Sequence, residues 1–140
     1  MSRLGRRLAF DYGDVRIGVA VCDPDGILAT PLDFLATKDP SLKTSILSLN
    51  AEYEPKKIYV GLPLNLSGEH SESTAKAQAF AELITQMVSC PVELIDERLT
   101  TSSAASSLSQ AGVSAKDQRK KIDSQSAVII LESGLAKDRE

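Results

Sequence analysis

Acidic residues lie within or at the ends of three predicted elements, and their chemistry is the most informative feature of the sequence. Asp11 lies in the middle of an apolar strand, where burying a carboxylate without a partner is costly. Asp96 and Glu97 end a later strand, and Asp123 opens the last predicted helix. In an open α/β sheet such ends meet at the edge where ligands bind. The sequence therefore predicts a cluster of carboxylates at one edge of a sheet.

Carboxylates that converge in this way repel each other unless a cation joins them. Oxygen ligands without a histidine or thiolate partner predict Mg²⁺ or Mn²⁺. Two such ions could activate water and stabilise the leaving oxygen of a phosphodiester. Gly18 and Ala20, expected on the same face as Asp11, would leave room for a nucleic-acid backbone.

The pattern of residues leaves some assignments open. Successive strand residues point to opposite faces, so periodicity alone does not choose between Asp96 and Glu97. Asp123, taken alone, is more simply explained as a helix N-cap. His70 is the single histidine and lies in a polar segment, so we expect it to be an exposed residue without a role.

The elements that must position these acids can be predicted from hydrophobic periodicity. Alternating apolar residues predict an antiparallel meander of three strands, the third at an edge because it contains Pro31. Alternating helices and strands follow, and their strands should pair in parallel through right-handed crossovers. Asp39 is the expected N-cap of the first helix. The predicted strands cover 8–13, 15–22, 27–35, 57–63 and 91–97, and the predicted helices cover 39–53, 72–88, a short segment ending at 112, and about 123–135.

Length and composition predict one domain over residues 1–140, with 42% hydrophobic and 25% charged residues. No apolar run approaches the roughly 20 residues of a membrane span. The basic N-terminus is not followed by the apolar stretch of a signal peptide, so a cytoplasmic protein is expected. Cys22 and Cys90 are too few for a disulfide framework and form no zinc motif. The net charge of −3 argues against binding nucleic acid by bulk electrostatics, although local basic patches are present.

Four segments occur in the order and spacing of the YqgF/RuvX family, which the chain resembles over nearly its whole length. Members of that family are described as pre-16S rRNA nucleases or as Holliday junction resolvases. DERLTT after a strand is the most specific of the four. The segments are FDYGDVRIGVAVCD (10–23), IYVGLPLNLSGEHS (58–71), DERLTT (96–101) and IDSQSAVIIL (122–131).

The resemblance implies an RNase H-like α/β fold. Three antiparallel strands would be followed by alternating α/β units, in a mixed sheet with helices on both faces. It also implies hydrolysis of phosphodiester bonds with Mg²⁺ or Mn²⁺, two ions held by Asp11, Glu97 and Asp123 as the catalytic acids. The family pattern thereby selects Glu97 over Asp96. The implied role is 5′-end processing of pre-16S rRNA during ribosome biogenesis in the bacterial cytoplasm. Candidate contacts to the substrate backbone are Arg16, Asn65, Arg98 and Lys121.

Other functions remain open at this point. A Holliday junction resolvase would cut four-way DNA and would need a two-fold dimer, but the sequence predicts no strong interface, so a monomer or weak homodimer is expected. A non-catalytic module binding nucleic acid or ribosomal particles would not need all three acids. An ATPase of the actin and sugar-kinase type needs two lobes, and 140 residues supply one. Asp14 and Ser126 depart from the family pattern, where relatives often carry a basic or small residue and an alanine.

Overall fold

A computed structural model describes residues 5–63, 71–97 and 124–139 of the chain. Within these ranges the elements follow the predicted β-β-β-α-β-α-β order and end with a helix. The predicted short helix that ends at Gly112 and the first residue of the last helix, Asp123, lie outside the described residues. The elements are β1 (Arg7–Asp11), β2 (Arg16–Cys22), β3 (Ala29–Ala36), α1 (Leu42–Tyr53), β4 (Lys57–Leu62), α2 (Glu72–Met87), β5 (Val92–Asp96) and α3 (Gln125–Arg139).

The five strands form one mixed sheet in the order β3-β2-β1-β4-β5. β1 is antiparallel to β2, and β2 is antiparallel to β3. β4 runs parallel to both β1 and β5. The predicted meander and the predicted parallel units are therefore confirmed, and β3 is an edge strand as its Pro31 predicted. Because β1 and β5 run in the same direction, Asp11 and the end of β5 lie at the same edge of the sheet.

Helices cover both faces of the sheet, as expected. On one face α1 and α2 pack against the larger apolar core, which includes Phe10, Val19, Ile46 and Ile84. The helical spacing of Leu42, Ile46, Leu49 and Tyr53 predicts an apolar stripe on α1, and all four residues belong to this core. On the other face α3 packs against a second cluster, which includes Ala9 and Ala20.

The buried face of α2 is rotated from the prediction but overlaps with it. Helical spacing predicts that Ala75, Ala79, Phe80 and Ile84 share one face; Phe80 and Ile84 are buried as predicted, whereas Ala75 and Ala79 are exposed and Ala77 and Ala81 are buried instead. The first turn explains this rotation, because the buried hydroxyl of Thr74 donates to the carbonyl of Pro63. The hydrogen bonds of an N-terminal turn thus set which face of the helix meets the sheet, and small apolar residues are compatible with either side.

The start of α1 also differs from the prediction. Asp39 is not its N-cap; the helix begins after Ser41, whose side chain makes no capping hydrogen bond. The Asp39 carboxylate instead accepts the Ser41 N–H at 2.8 Å, and its carbonyl accepts the Leu42 N–H at 3.0 Å. Asp39 therefore closes the turn that precedes the helix, a common role for aspartate before proline.

The helical period predicts that positions 123, 127, 130, 131 and 134 face the core, and α3 packs closely on the sheet along the described part of this stripe. Ala127, Ile130 and Leu131 are fully or almost fully shielded from solvent. At Gly134 a Cβ atom would lie only 2.6 Å from the ring of Tyr59 on β4, so a glycine is needed for this contact. No helix within the described ranges is long and apolar enough to cross a membrane.

Candidate active site

Asp11 is the last residue of β1, and its side chain lies on the face of the sheet that α3 covers. Its neighbour on the same face, Ala9, is fully buried against α3. Gly18 is the residue of β2 that pairs with Asp11, and it has no side chain to occupy the space beside the carboxylate. The strand therefore places a half-buried carboxylate beside a glycine at the carboxyl end of β1.

Glu97 follows β5 directly, and its carboxyl group is hydrogen-bonded to the carboxylate of Asp11. The two residues come from strands that are separated by β4. Gly61 on β4 makes this contact possible, because a Cβ atom at that position would lie 3.1 Å from Cδ of Glu97 and would collide with Ile130 of α3. The glutamate side chain thus lies across β4 at the one place where that strand has no side chain.

The alternation of side chains along β5 distinguishes Asp96 from Glu97, a choice that hydrophobic periodicity did not make. Ile95 packs on the α3 face of β5, and Glu97 shares that face because strand side chains alternate. Asp96 belongs to the opposite series, together with Leu94, which packs on the α1–α2 side. Glu97 is therefore the acid that meets Asp11, while the charge of Asp96 adds to the raised pKa of Glu97.

Burial and mutual repulsion perturb both carboxyl groups. Burial raises the pKa of Asp11, although hydrogen bonds from Glu97 and Ser126 oppose this effect. Burial, the Asp11 charge and the shared hydrogen bond raise the pKa of Glu97 to about 7. Near neutral pH the pair therefore holds a proton between two groups that would ordinarily both be ionised. A cation that replaced this proton would relieve the repulsion.

A serine hydroxyl completes the immediate surroundings of Asp11. Ser126 lies in the first turn of α3, is exposed, and is hydrogen-bonded to the Asp11 carboxylate. Sequence reasoning identified Ser126 only as a departure from the family pattern, and it missed Gly61. A glycine inside an apolar strand is a recognisable sign of close approach by another group, so Gly61 could have been found.

Arg16 is the predicted substrate contact that lies within the described residues. Arg16 begins β2 at the same sheet edge as Asp11 and is exposed, with its guanidinium carbon 5.1 Å from the centroid of the Phe34 ring. The Arg16 guanidinium therefore makes a cation–π contact at this end of the sheet. The other residues singled out from the sequence, Asn65, His70, Arg98, Lys121 and the acid Asp123, lie outside the described residues.

The donor set fits a hard divalent cation. Asp11 and Glu97 supply carboxylate oxygens, and Ser126 supplies a hydroxyl, which are the ligand types that Mg²⁺ and Mn²⁺ prefer. Among the described residues no group of three or more histidine, cysteine, aspartate or glutamate side chains is placed to hold a metal ion. The acid pair is thus the portion of a possible metal site that the described residues contain.

Solved structures show the same fold. The structure of Thermus thermophilus RuvC matches with a TM-score of 0.57 and 14% identity, covering 96% of both chains. The structure of T. thermophilus RuvC in complex with Holliday junction substrate matches with a TM-score of 0.59, with the same identity and coverage. The expected RNase H-like fold is therefore confirmed.

Sequence comparisons identify the family. A Streptomyces coelicolor protein named "Putative pre-16S rRNA nuclease" is 48% identical over 139 residues, covering 98% of this chain and 83% of the relative. A Streptomyces avermitilis protein of the same name is 45% identical, covering 98% of this chain and 89% of the relative. The model of the RuvX family, described as Holliday junction resolvase, matches residues 5–137. The chain therefore belongs to the RuvX family.

Proposed function

We propose that the protein is a metal-dependent nuclease whose site lies in one RNase H-like domain over residues 1–140. Asp11, Glu97 and Asp123 are the proposed catalytic acids and the proposed ligands of the ions. The contact between the carboxyl groups of Asp11 and Glu97 carries this proposal, because it joins the ends of two strands on either side of β4. A half-buried pair of acids is destabilised when both groups are ionised, and a cation between them would remove that cost.

Each side chain has a distinct task in this proposal. Asp11 would hold the cations from the end of β1, and Glu97 would have to release its proton before it could do the same. Ser126 donates to Asp11 and restricts how its carboxylate turns. When bound, two ions of the Mg²⁺ or Mn²⁺ class would supply an activated water and would stabilise charge on the leaving oxygen.

Contacts to the backbone of the substrate are assigned to residues around this edge. Such contacts position a strand without reading its sequence. The exposed guanidinium of Arg16 is the described member of the set and is aimed by its stacking on Phe34. The remaining proposed contacts are Asn65, Arg98 and Lys121.

The proposed substrate is precursor 16S rRNA, processed at its 5′ end during ribosome biogenesis in the cytoplasm, with ribosomal particles as partners. The names of the curated relatives, which are 41–48% identical, support this choice. Cleavage of four-way DNA is the second candidate, because the family description and the RuvC complex both concern Holliday junctions. Paired cuts across a junction would need a two-fold dimer, whereas RNA processing is compatible with a monomer or a weak homodimer.

Parallel cleavage assays distinguish these substrates and test the chemistry. End-labelled precursor rRNA and a four-way DNA junction would be incubated with purified protein in Mg²⁺ and in Mn²⁺. Asp11→Asn should reduce cleavage by about 100-fold or more, because the variant loses a charged ligand. Asp33→Asn makes the same chemical change at an exposed position of β3, and this variant should cleave at the wild-type rate. Equal cleavage by wild type and Asp11→Asn would exclude the proposed acid site.

A further inference from the structure

Ser124 is a fully buried polar residue that immediately precedes α3. Its Oγ accepts the backbone N–H of Val19 at 3.1 Å and donates to the carbonyl of Leu32 at 2.5 Å. Val19 and Leu32 are register partners in the antiparallel pair of β2 and β3. The side chain of the residue before α3 therefore forms hydrogen bonds with backbone groups of two paired strand residues, one on β2 and one on β3.

The strands are irregular at the place where this hydroxyl enters. The β2–β3 register shifts between Ile17 and Val19, which is the mark of a β-bulge. Bulges disrupt the regular ladder and leave backbone groups that need other partners, and they are common next to active sites. Ser124 supplies such a partner and at the same time attaches the start of α3 to the middle of the sheet.

This attachment point is adjacent to the acid pair. On its other side β2 pairs with β1, where Gly18 faces Asp11 and Val19 faces Phe10. Two residues after Ser124, the hydroxyl of Ser126 reaches the Asp11 carboxylate. The next residue, Ala127, is fully buried against the sheet. Ser124 thus fixes the helical turn whose Ser126 contacts Asp11.

We infer that Ser124 is a positioning residue for the proposed nuclease. Its bridge between β2 and β3 holds the first turn of α3 in register with β1, so that Asp11 keeps one orientation between Glu97 and Ser126. The inference rests on the proposed function, since orientation of Asp11 matters only if that carboxylate binds the cations. Ser124 itself does not touch the substrate; it acts through Asp11.

A purely structural role makes a different prediction. If Ser124 only satisfies the backbone groups at the bulge, its removal lowers stability and leaves the acid pair unchanged. A matched hydroxyl deletion exists at the other end of the same helix, where Tyr59 donates to Asp138 at 2.5 Å. Tyr59→Phe removes a buried hydroxyl that also anchors α3, but far along the helix from Asp11. Comparing the two deletions separates positioning from stability.

The test measures Mn²⁺ affinity by titration calorimetry, with kcat and KM on the labelled RNA, at a temperature where every variant is folded. Ser124→Ala should weaken Mn²⁺ binding and lower kcat by about tenfold each, with KM within about twofold of wild type. Tyr59→Phe should lower the melting temperature yet keep both quantities within about twofold. Ser124→Thr, which keeps the hydroxyl, should recover most of the lost affinity. Should Ser124→Ala not fold, Ser124→Cys, with a similar size and a weaker donor, takes its place in the comparison.

Three outcomes would overturn the inference, and the third is distinguishable from the first two. Unchanged Mn²⁺ affinity in Ser124→Ala, or an equal loss in Ser124→Ala and Tyr59→Phe, would leave Ser124 with a structural role only, while Asp11→Asn still abolishes binding. If Asp11→Asn binds Mn²⁺ as tightly as wild type, the proposed function itself fails, and the positioning role fails with it.

Discussion

At the scale of single residues, the central feature is a pair of acids that the fold forces together. Burial and repulsion disfavour ionisation of both groups, so a proton remains on the pair up to about pH 7, the pKa of Glu97. Metal binding must displace that proton, because carboxylate ligands bind cations in their ionised form. The folded protein is therefore destabilised when both carboxyl groups are ionised and no cation lies between them.

This linkage predicts an unusual pH dependence of stability in the metal-free protein. The pKa of Glu97 is about 7 in the folded state, above its ordinary value of 4.5, so between these values the folded state binds a proton that the unfolded chain has released. The contribution of Glu97 to the free energy of unfolding is therefore fully present below pH 4.5 and is lost as the pH rises through 7. Burial raises the pKa of Asp11 as well, which adds to the effect in the same direction.

Thermal unfolding with a chelator at pH 5.5 and at pH 8 checks this prediction. The melting temperature of the wild type should be a few degrees higher at pH 5.5, and Glu97→Gln should lose most of that difference. Carboxyl groups with lowered pKa values, such as Glu93, titrate below this range and do not mask the effect. A wild-type melting temperature that rises from pH 5.5 to pH 8 would contradict the assigned contact.

Gly61 provides a second prediction at the residue scale. A Cβ atom at this position would press on both the Glu97 side chain and Ile130, so Gly61→Ala should displace the glutamate and weaken Mn²⁺ binding by about tenfold or more. Gly134→Ala is the matched control, since its Cβ atom would meet the Tyr59 ring instead. Both variants should lose about 1–3 kcal/mol of unfolding free energy through overpacking. Equal Mn²⁺ affinities in the two variants would show that Gly61 serves packing alone.

The site was predictable from sequence only in part, for reasons specific to each residue. Asp11 could be singled out because a carboxylate inside an apolar strand is rare. The choice of Glu97 over Asp96 needed the family resemblance, since the face of β5 that meets α3 is a tertiary property. Ser124 could not be found, because a serine at a helix start is normally read as a cap, and its partners lie about 100 residues earlier in the chain.

At the scale of elements, α3 is held at both ends by polar contacts and between them by apolar packing. At its last turns Asp138 accepts hydrogen bonds from Tyr59 at 2.5 Å and from Lys57 at 3.1 Å, and it also pairs with Arg7. This cluster, formed by Arg7, Lys57, Tyr59 and Asp138, joins the helix to β1 and β4. It lies at the opposite end of the strands from the acid pair.

Removing the charge of Asp138 should loosen the end of α3 without changing the site. Asp138→Asn is expected to cost about 1–3 kcal/mol of unfolding free energy, because partly buried cations lose their partner. Lys137→Ala, which breaks an exposed pair with Glu93, should cost no more than about 1 kcal/mol. Chemical denaturation measures both values. If the two variants are equally stable, the cluster does not anchor the helix.

Element order was largely predictable, whereas helix phase and caps were not. Alternation and turn residues located all five strands, and Pro31 indicated the edge. The rotation of α2 was missed because Ala75, Ala77, Ala79 and Ala81 are interchangeable by hydropathy, and the Thr74 hydroxyl decides between them. The start of α1 was misplaced because Asp39 can cap either a turn or a helix.

At the scale of the whole molecule, the net charge of −3 limits how nucleic acid can be held. Only three of the proposed backbone contacts, Arg16, Arg98 and Lys121, are cations. Each neutralised phosphate of a single strand contributes a slope of about −0.7 to the plot of log affinity against log salt. Binding of the RNA by the inactive Asp11→Asn variant should therefore show a slope of about −2. A slope steeper than about −5 would indicate a broad basic surface instead.

The central claim is that Asp11 and Glu97 converge to hold a divalent cation. Anomalous diffraction from crystals soaked in Mn²⁺ tests it most directly, because the signal locates the ion independently of activity. The account predicts an anomalous peak within about 2.5 Å of oxygens from both carboxylates, with the hydrogen bond between them broken. Mn²⁺ bound elsewhere, with the carboxyl groups of Asp11 and Glu97 still in hydrogen-bond contact at pH 8, would contradict it.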